Sequence, residues 1–180
     1  MLTWLEKDAA LSAQLRVAEK PGPLRTLAGF LAHSGDSWFW LIGLVLVWRF
    51  GSRVWRTRAK VMAGSILGTA IITQTLKFIF RRERPQGKWG NIYRKTDPYS
   101  FPSGHAARAG LLTVLGAVMG PVWFGVALLI WGPLTALARV AMGVHYISDV
   151  IAGFTLGMGI AGSITAIRKW VIPFDKDKAG

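Results

Sequence analysis

There is no cysteine in these 180 residues, which excludes disulfides, thiolate nucleophiles and cysteine-held metals. Acidic residues are also scarce: nine Asp and Glu stand against 22 Lys and Arg, for a net charge of +13. Charged residues of either sign make up only 17% of the chain, where about a quarter is usual for a soluble domain. What is abundant is apolar: 52% hydrophobic residues, nine tryptophans and a mean hydropathy of +0.36. A nucleic-acid partner would account for the charge but not for the apolar content. A disordered polybasic chain is excluded by that same hydrophobicity. The two facts are reconciled by an all-α integral-membrane bundle whose cations lie in loops or line a buried anion site. The length suits one membrane-embedded domain over residues 1–180.

Apolar stretches long enough to cross about 30 Å of hydrocarbon are absent from residues 1–35, which carry Glu6, Lys7, Asp8, Arg16, Glu19, Lys20 and Arg25. There, Trp4, Leu5, Leu11 and Leu15 recur near helical spacing and predict an amphipathic helix on the membrane surface over Trp4–Ala18. Pro21-Gly22-Pro23 breaks it, and a second short helix is expected over Leu24–Ala32. Five spans follow: Trp38–Val54, Val61–Phe80, Ser103–Met119, Val122–Met142 and Ile147–Ile167. A sixth would need Leu24–Ala32 to insert, and that segment is too short alone. The transmembrane bundle thus occupies 36–170, and 171–180 is a polar tail. Trp38, Trp40, Trp55, Trp123 and Trp170 fall near span ends, as an aromatic belt would have them. The pairs Gly64/Gly68, Gly116/Gly120 and Gly153/Gly157 have the spacing that lets membrane helices approach closely.

Ionisable residues in or at the mouth of a span are functional candidates by default. They form three clusters. Lys77 lies near the end of the second span, followed by Arg81, Arg82 and Arg84-Pro85. Pro102-Ser103-Gly104-His105 opens the third, with Arg108 a turn further in. Arg139 closes the fourth, and His145 and Asp149 open the fifth. Counting crossings puts all three clusters on one side of the bilayer. His145 and Asp149, at i and i+4, share a helix face, so the carboxylate can hold one ring nitrogen and free the other to attack or take a proton. Ser103 and Gly104 begin a helix, whose free N–H groups and dipole suit a phosphate.

The three motifs, Lys77 with Arg84-Pro85, Pro102-Ser103-Gly104-His105, and Arg139 with His145 and Asp149, resemble the signature of the type 2 phosphatidic-acid phosphatases, or lipid phosphate phosphatases. The resemblance covers about two-fifths of the chain. It implies a metal-independent phosphatase with no cofactor. By analogy His145 is the nucleophile that forms a phosphohistidine, Asp149 orients it, and His105 is the general acid and then the base. Lys77, Arg84, Ser103, Gly104 and Arg139 bind the phosphoryl oxygens. Ala138 departs from the Ser that many members carry before the third-motif Arg, which removes one hydroxyl contact worth about 0.5–1.5 kcal/mol and should tune activity. Five spans depart from the family's common six.

Other residues are read more plainly. Arg108 is a candidate for a second phosphate or an acidic headgroup, against pairing or snorkelling. Arg81, Arg82, Lys88, Arg94 and Lys95 are expected to attract anionic headgroups or substrate, with Glu83 and Asp97 pairing among them. Trp89 and Tyr93 would anchor that loop at the interface. His33 and Asp36 read as interfacial or capping residues. Arg53, Arg56, Arg58 and Lys60 in a short first loop, with Arg168, Lys169, Lys176 and Lys178, mark the opposite side as cytoplasmic. The expected setting is a bacterial inner or plasma membrane with the site facing out. The partners would be a lipid phosphate substrate and membrane lipids, with no nucleic acid. The same histidine could serve a phosphotransferase. A non-catalytic anionic-lipid binder or transporter would need only the cations, and the His/Asp/His set argues against it.

Overall fold

The computed structural model describes residues 3–171. The tail from residue 172 on, with Lys176 and Lys178, lies outside them, as do the side chains of Lys88, Arg168, Lys169 and Trp170. The described residues form eight helices: α1 Trp4–Gln14, α2 Pro23–Ser34, α3 Ser37–Phe50, α4 Arg53–Phe80, α5 Lys88–Arg94, α6 Gly104–Met119, α7 Val122–Ala141 and α8 Ile147–Val171. Among the described residues no strand forms, only an isolated bridge between Glu83 and Tyr99.

α6 is the axis. It packs against α8 and α7 along its length and against α4 on a third side. Leu111, Leu112 and Leu115 are fully buried there with Ile66, Leu128 and Ala161. The α6–α8 contact depends on small residues. A Cβ on Gly157 would reach the Leu111 amide at 2.8 Å and collide with the Ala107 carbonyl, so the backbones meet there without side chains. Gly153 sits against the Ser103 backbone in the same way, and Gly116 makes room for the Leu128 side chain of α7, whereas Gly64 and Gly68 face open space and bring no helix close. The outer surface is apolar: Ile71, Ile79, Val122 and Ile130 are among many large side chains left bare, a surface suited to lipid rather than water.

α4, α7 and residues Ile147–Ile167 of α8 are long and apolar enough to cross a membrane, and the α2–α3 pair, bent by 52°, adds a fourth crossing if it is one span. The protein is therefore an integral membrane protein. The five expected spans coincide in position with α3, α4, α6, α7 and α8, but α6 has only 16 residues, about 24 Å at 1.5 Å per residue. It is wrapped by other helices over most of its surface, so it need not match the bilayer thickness. The expected first loop is also different: Arg53, Arg56, Arg58 and Lys60 belong to the first turns of the 28-residue α4, and only Gly51 and Ser52 separate it from α3.

α1 turns its amphipathy outward. Trp4, Leu5, Leu11 and Leu15 are exposed, while Asp8 and Ser12 are buried against the protein. A capping box between Thr3 and Glu6 starts the helix. α2 is not a loose appendage: Ala28 and Ala32 pack on Ala138, Met142 and Val144 at the end of α7.

Candidate functional site

The C-terminal ends of α4 and α7 and the N-terminal ends of α6 and α8 converge on one end of the bundle, and all three motifs meet there. Arg81, in the left-handed region at φ 48°, stops α4 and swings the chain towards α8. Gly143, at φ 66°, ends α7 and turns the backbone so that His145 follows Arg139 into the same space.

His145 is the centre of the cluster. Its Nε2 lies 3.2 Å from Arg84 Nη1. Its Nδ1 is 3.5 Å from Asp149 Oδ2, a charge contact longer than a good hydrogen bond. Lys77, Arg84, Arg139, His145 and Asp149 are all buried. Burial, then the charges of Arg84, Arg139 and Lys77, pushes the His145 imidazole well below its ordinary range and keeps it neutral. Arg84 is held by the Val144 carbonyl at 2.8 Å and the Asp97 carbonyl at 2.7 Å. Its Nη2 donates to Asp97 Oδ2 at 2.7 Å, and Lys77 Nζ donates to the same oxygen. Asp97 thus pairs with the two motif cations rather than with the outlying loop charges. Arg139 stacks on Tyr93 at 5.0 Å, and its Nε has no partner. Tyr93 also faces Arg84 at 5.2 Å, so it braces the cations instead of anchoring the loop at the interface.

Asp149 is fully buried and held from three directions. Arg82 Nη1 donates to Oδ1 at 2.7 Å, the Tyr146 N–H donates to Oδ2 at 2.9 Å, and the Asp149 carbonyl accepts from Ser103 N at 2.9 Å. That last bond ties the second motif to the third. Arg82 reaches on to Asp8 Oδ2 at 2.7 Å. Asp8 Oδ1 and Ser12 Oγ accept from the Ser148 and Ile147 N–H groups at 3.2 and 2.9 Å, so side chains of α1 cap the start of α8. Arg94, with its Nη2 on the Arg84 carbonyl at 2.8 Å, is likewise a structural tie. These arginines are spent inside the protein, not on headgroups.

The second motif has its own arrangement. Ser103 caps α6, its Oγ accepting from Ala106 N at 3.4 Å, and Gly104 follows as the first helical residue. His105 Nε2 lies 2.6 Å from Asp36 Oδ1, and His33 Nδ1 approaches the other Asp36 oxygen at 3.3 Å. No motif or spacing joins Asp36 to His105, since 69 residues separate them. Arg108, the headgroup candidate, donates to the Gly35 carbonyl beside Asp36. Ala138 packs with Ala28 and Ala32, where a hydroxyl would meet alanines of α2.

Beside this end, between α2, α3, α4 and α7, lies an apolar cavity of about 690 Å³. Its lining runs from His33 and Ser34 past Trp40 and Leu44 to Trp55 and Arg58.

The family model described as the PAP2 superfamily matches residues 58–173. An undecaprenyl-diphosphatase of Sulfolobus acidocaldarius is 29% identical over 77% of this chain and 68% of its own. A decaprenylphosphoryl-5-phosphoribose phosphatase of Mycobacterium tuberculosis is 30% identical over 90% of each chain. Among solved structures, a transmembrane PAP2 type phosphatidylglycerolphosphate phosphatase from Bacillus subtilis shares the fold, with a TM-score of 0.76 at 22% identity over 94% of this chain and 88% of that one.

Proposed function

The chain belongs to the PAP2 superfamily, and on that premise we propose that it dephosphorylates a lipid phosphate or diphosphate through a phosphohistidine. The observation that carries this reading is His145, its Nε2 3.2 Å from Arg84, among three buried cations with Asp149 at its back. Phosphoryl transfer needs positive charge around the equatorial oxygens and a nucleophile in line with the leaving group. Lys77, Arg84 and Arg139, with Ser103 and the Gly104 amide, take the oxygens, and the phosphoryl group replaces the Asp97 carboxylate on Lys77 and Arg84. His145 Nε2 bonds to phosphorus as the P–O ester bond breaks. His105 gives its proton to the departing oxygen. Neutral His105 then takes a proton from water as the water oxygen attacks phosphorus, and the P–N bond breaks to restore His145. Asp149 balances the charge that His145 carries in between.

The lipid class is supported by the apolar cavity beside His33 and by relatives named for polyprenyl substrates. A polyprenyl diphosphate, phosphatidic acid, phosphatidylglycerophosphate or a lipid A phosphate fits such a site. The whole chain works as one domain, since α1 and α2 brace the cluster. Four cations begin α4 at the end remote from the site, which supports a cytoplasmic location there and an active site on the extracytoplasmic side of a bacterial plasma membrane.

The test is phosphate release from that lipid panel by purified protein, with and without EDTA. Release that survives chelator and is lost in His145→Ala supports the reading. Full activity in His145→Ala sinks it.

A further inference from the structure

We propose that Asp36 is the positioning residue for His105, holding its ring so that the Nδ1 nitrogen delivers the proton to the leaving oxygen. The proposal rests on the phosphatase reading above. Three observations carry it. First, Asp36 stands at the N-cap of α3 yet caps nothing, because its carboxylate turns away from the helix. An aspartate at that position would ordinarily accept from the first-turn N–H groups, a contact worth about 1 kcal/mol. Second, the carboxylate goes instead to His105 Nε2 at 2.6 Å, a charge-assisted distance. Third, the α2–α3 junction that carries Asp36 is itself secured. Arg108 and Trp40 donate to the Gly35 and Ser34 carbonyls, Trp131 donates to Ser34 Oγ at 2.8 Å, and the Asp36 amide donates to the His33 carbonyl at 2.9 Å.

The chemistry follows from which nitrogen is engaged. A carboxylate on Nε2 selects the tautomer with its hydrogen there and leaves Nδ1 to exchange the catalytic proton. The Cδ2 edge of the ring also faces the junction, since a Cβ on Gly35 would come within 3.5 Å of it. Protonated, His105 donates from Nδ1 as the ester bond breaks and the electron pair passes to the leaving oxygen. Neutral again, it accepts a proton at Nδ1 from the attacking water. Through both steps the Nε2–H stays on Asp36, which favours the imidazolium. Burial, then Arg139 on α7 and Arg108 on the same helix, oppose that charge, while His33 sits on the far Asp36 oxygen. Asp36 is therefore the one carboxylate facing His105 among these groups.

The experiment uses full-length Asp36→Asn in detergent micelles with two substrates. Phosphatidic acid releases diacylglycerol, an alkoxide that needs the proton. p-Nitrophenyl phosphate leaves as a stable phenolate that does not. A general acid contributes about 10²–10⁴-fold, so we expect kcat/KM on phosphatidic acid, which covers only the steps up to the phosphohistidine, to drop about 30–100-fold. The loss on the aryl phosphate should stay within about threefold on the same grounds. The basic limb of the phosphatidic-acid profile should move to lower pH, and Asp36→Glu should recover part of the loss. Asp36→Asn with His105→Ala should be no slower than His105→Ala alone. Equal losses on both substrates, an unmoved basic limb, or a double variant slower than His105→Ala would each overturn the proposal. NMR titration of labelled His105 supplies a readout free of turnover. Its midpoint should fall in Asp36→Asn, and an unmoved midpoint overturns the proposal. If the wild-type protein releases phosphate from no lipid, the phosphatase reading fails while the titration still decides the role of Asp36.

Discussion

Two histidines face the site, each beside a carboxylate, and the two pairs are built in opposite ways. His145 and Asp149 are four residues apart, the first in the turn before α8 and the second in its first turn, so a short stretch of chain brings them together. His105 meets Asp36 across 69 residues, through the bend between α2 and α3 and the packing of that bend against α6 and α7. The local pair is looser, at 3.5 Å, and is braced from outside by Arg82 and α1. The distant pair is tighter, at 2.6 Å, and depends on the junction staying in place. Proximity in sequence decides that two groups can meet, and tertiary support decides how well they are held.

The largest effect is expected from removing His145, the proposed nucleophile. His145→Ala should lower phosphate release by about 10⁴-fold or more, with no acid-labile phosphoenzyme in a labelling assay. Asp149→Asn should keep the fold and lower kcat by about 10²–10⁴-fold. A loss smaller than that of Asp36→Asn on the same lipid would show that the distant pair is the more demanding one.

The neutral state of His145 adds a pH test. Its folded pKa is depressed by burial and neighbouring cations, so on lowering pH the unfolded chain takes up the proton first. The stability it contributes is whole above about pH 6.5 and is lost as pH falls from there towards the folded value. Thermal melts in detergent between neutral and mildly acid pH should show that decline, and His145→Gln should flatten it.

Bracing of the local pair by α1 is tested by Asp8→Ala. The loss of one ion pair that acts through Arg82 should lower kcat several-fold, on the order of 3–10, with KM little changed. An unchanged kcat would mean that Arg82 alone suffices. The smallest effect belongs to the turn that delivers His145. Gly143→Ala places a Cβ at φ 66° and should cost about 1–2 kcal/mol of stability, read as a lowered melting midpoint.

Much of the site was legible because its parts are short motifs on helix ends. Parity of crossings put Lys77, Arg139, His105 and His145 at one end, and the structure brings them together there. The residues that reading missed have partners that no spacing reveals. Asp97 lies in a loop and bridges Lys77 and Arg84. Tyr93 lies beneath two guanidiniums. Asp8 and Ser12 belonged to a helix whose apolar side drew attention, while its polar side does the docking. Gly64 and Gly68 had the right spacing for a helix contact and make none.

Composition alone set the solvent, and motif spacing pointed to the chemistry. Scarce charge and long apolar runs require a membrane, because hydrocarbon tolerates only backbone bonded to itself. Cations and histidines at fixed intervals near helix ends point to an anion. Folding set which cations pair with which carboxylates: Lys77 and Arg84 share Asp97, Arg82 joins Asp8 to Asp149, and His105 meets Asp36. Those outcomes depend on where helix ends and loops distant in the chain come to rest against one another. Pairing among buried charges is set by those few ångströms, through the steep cost of leaving any of them alone.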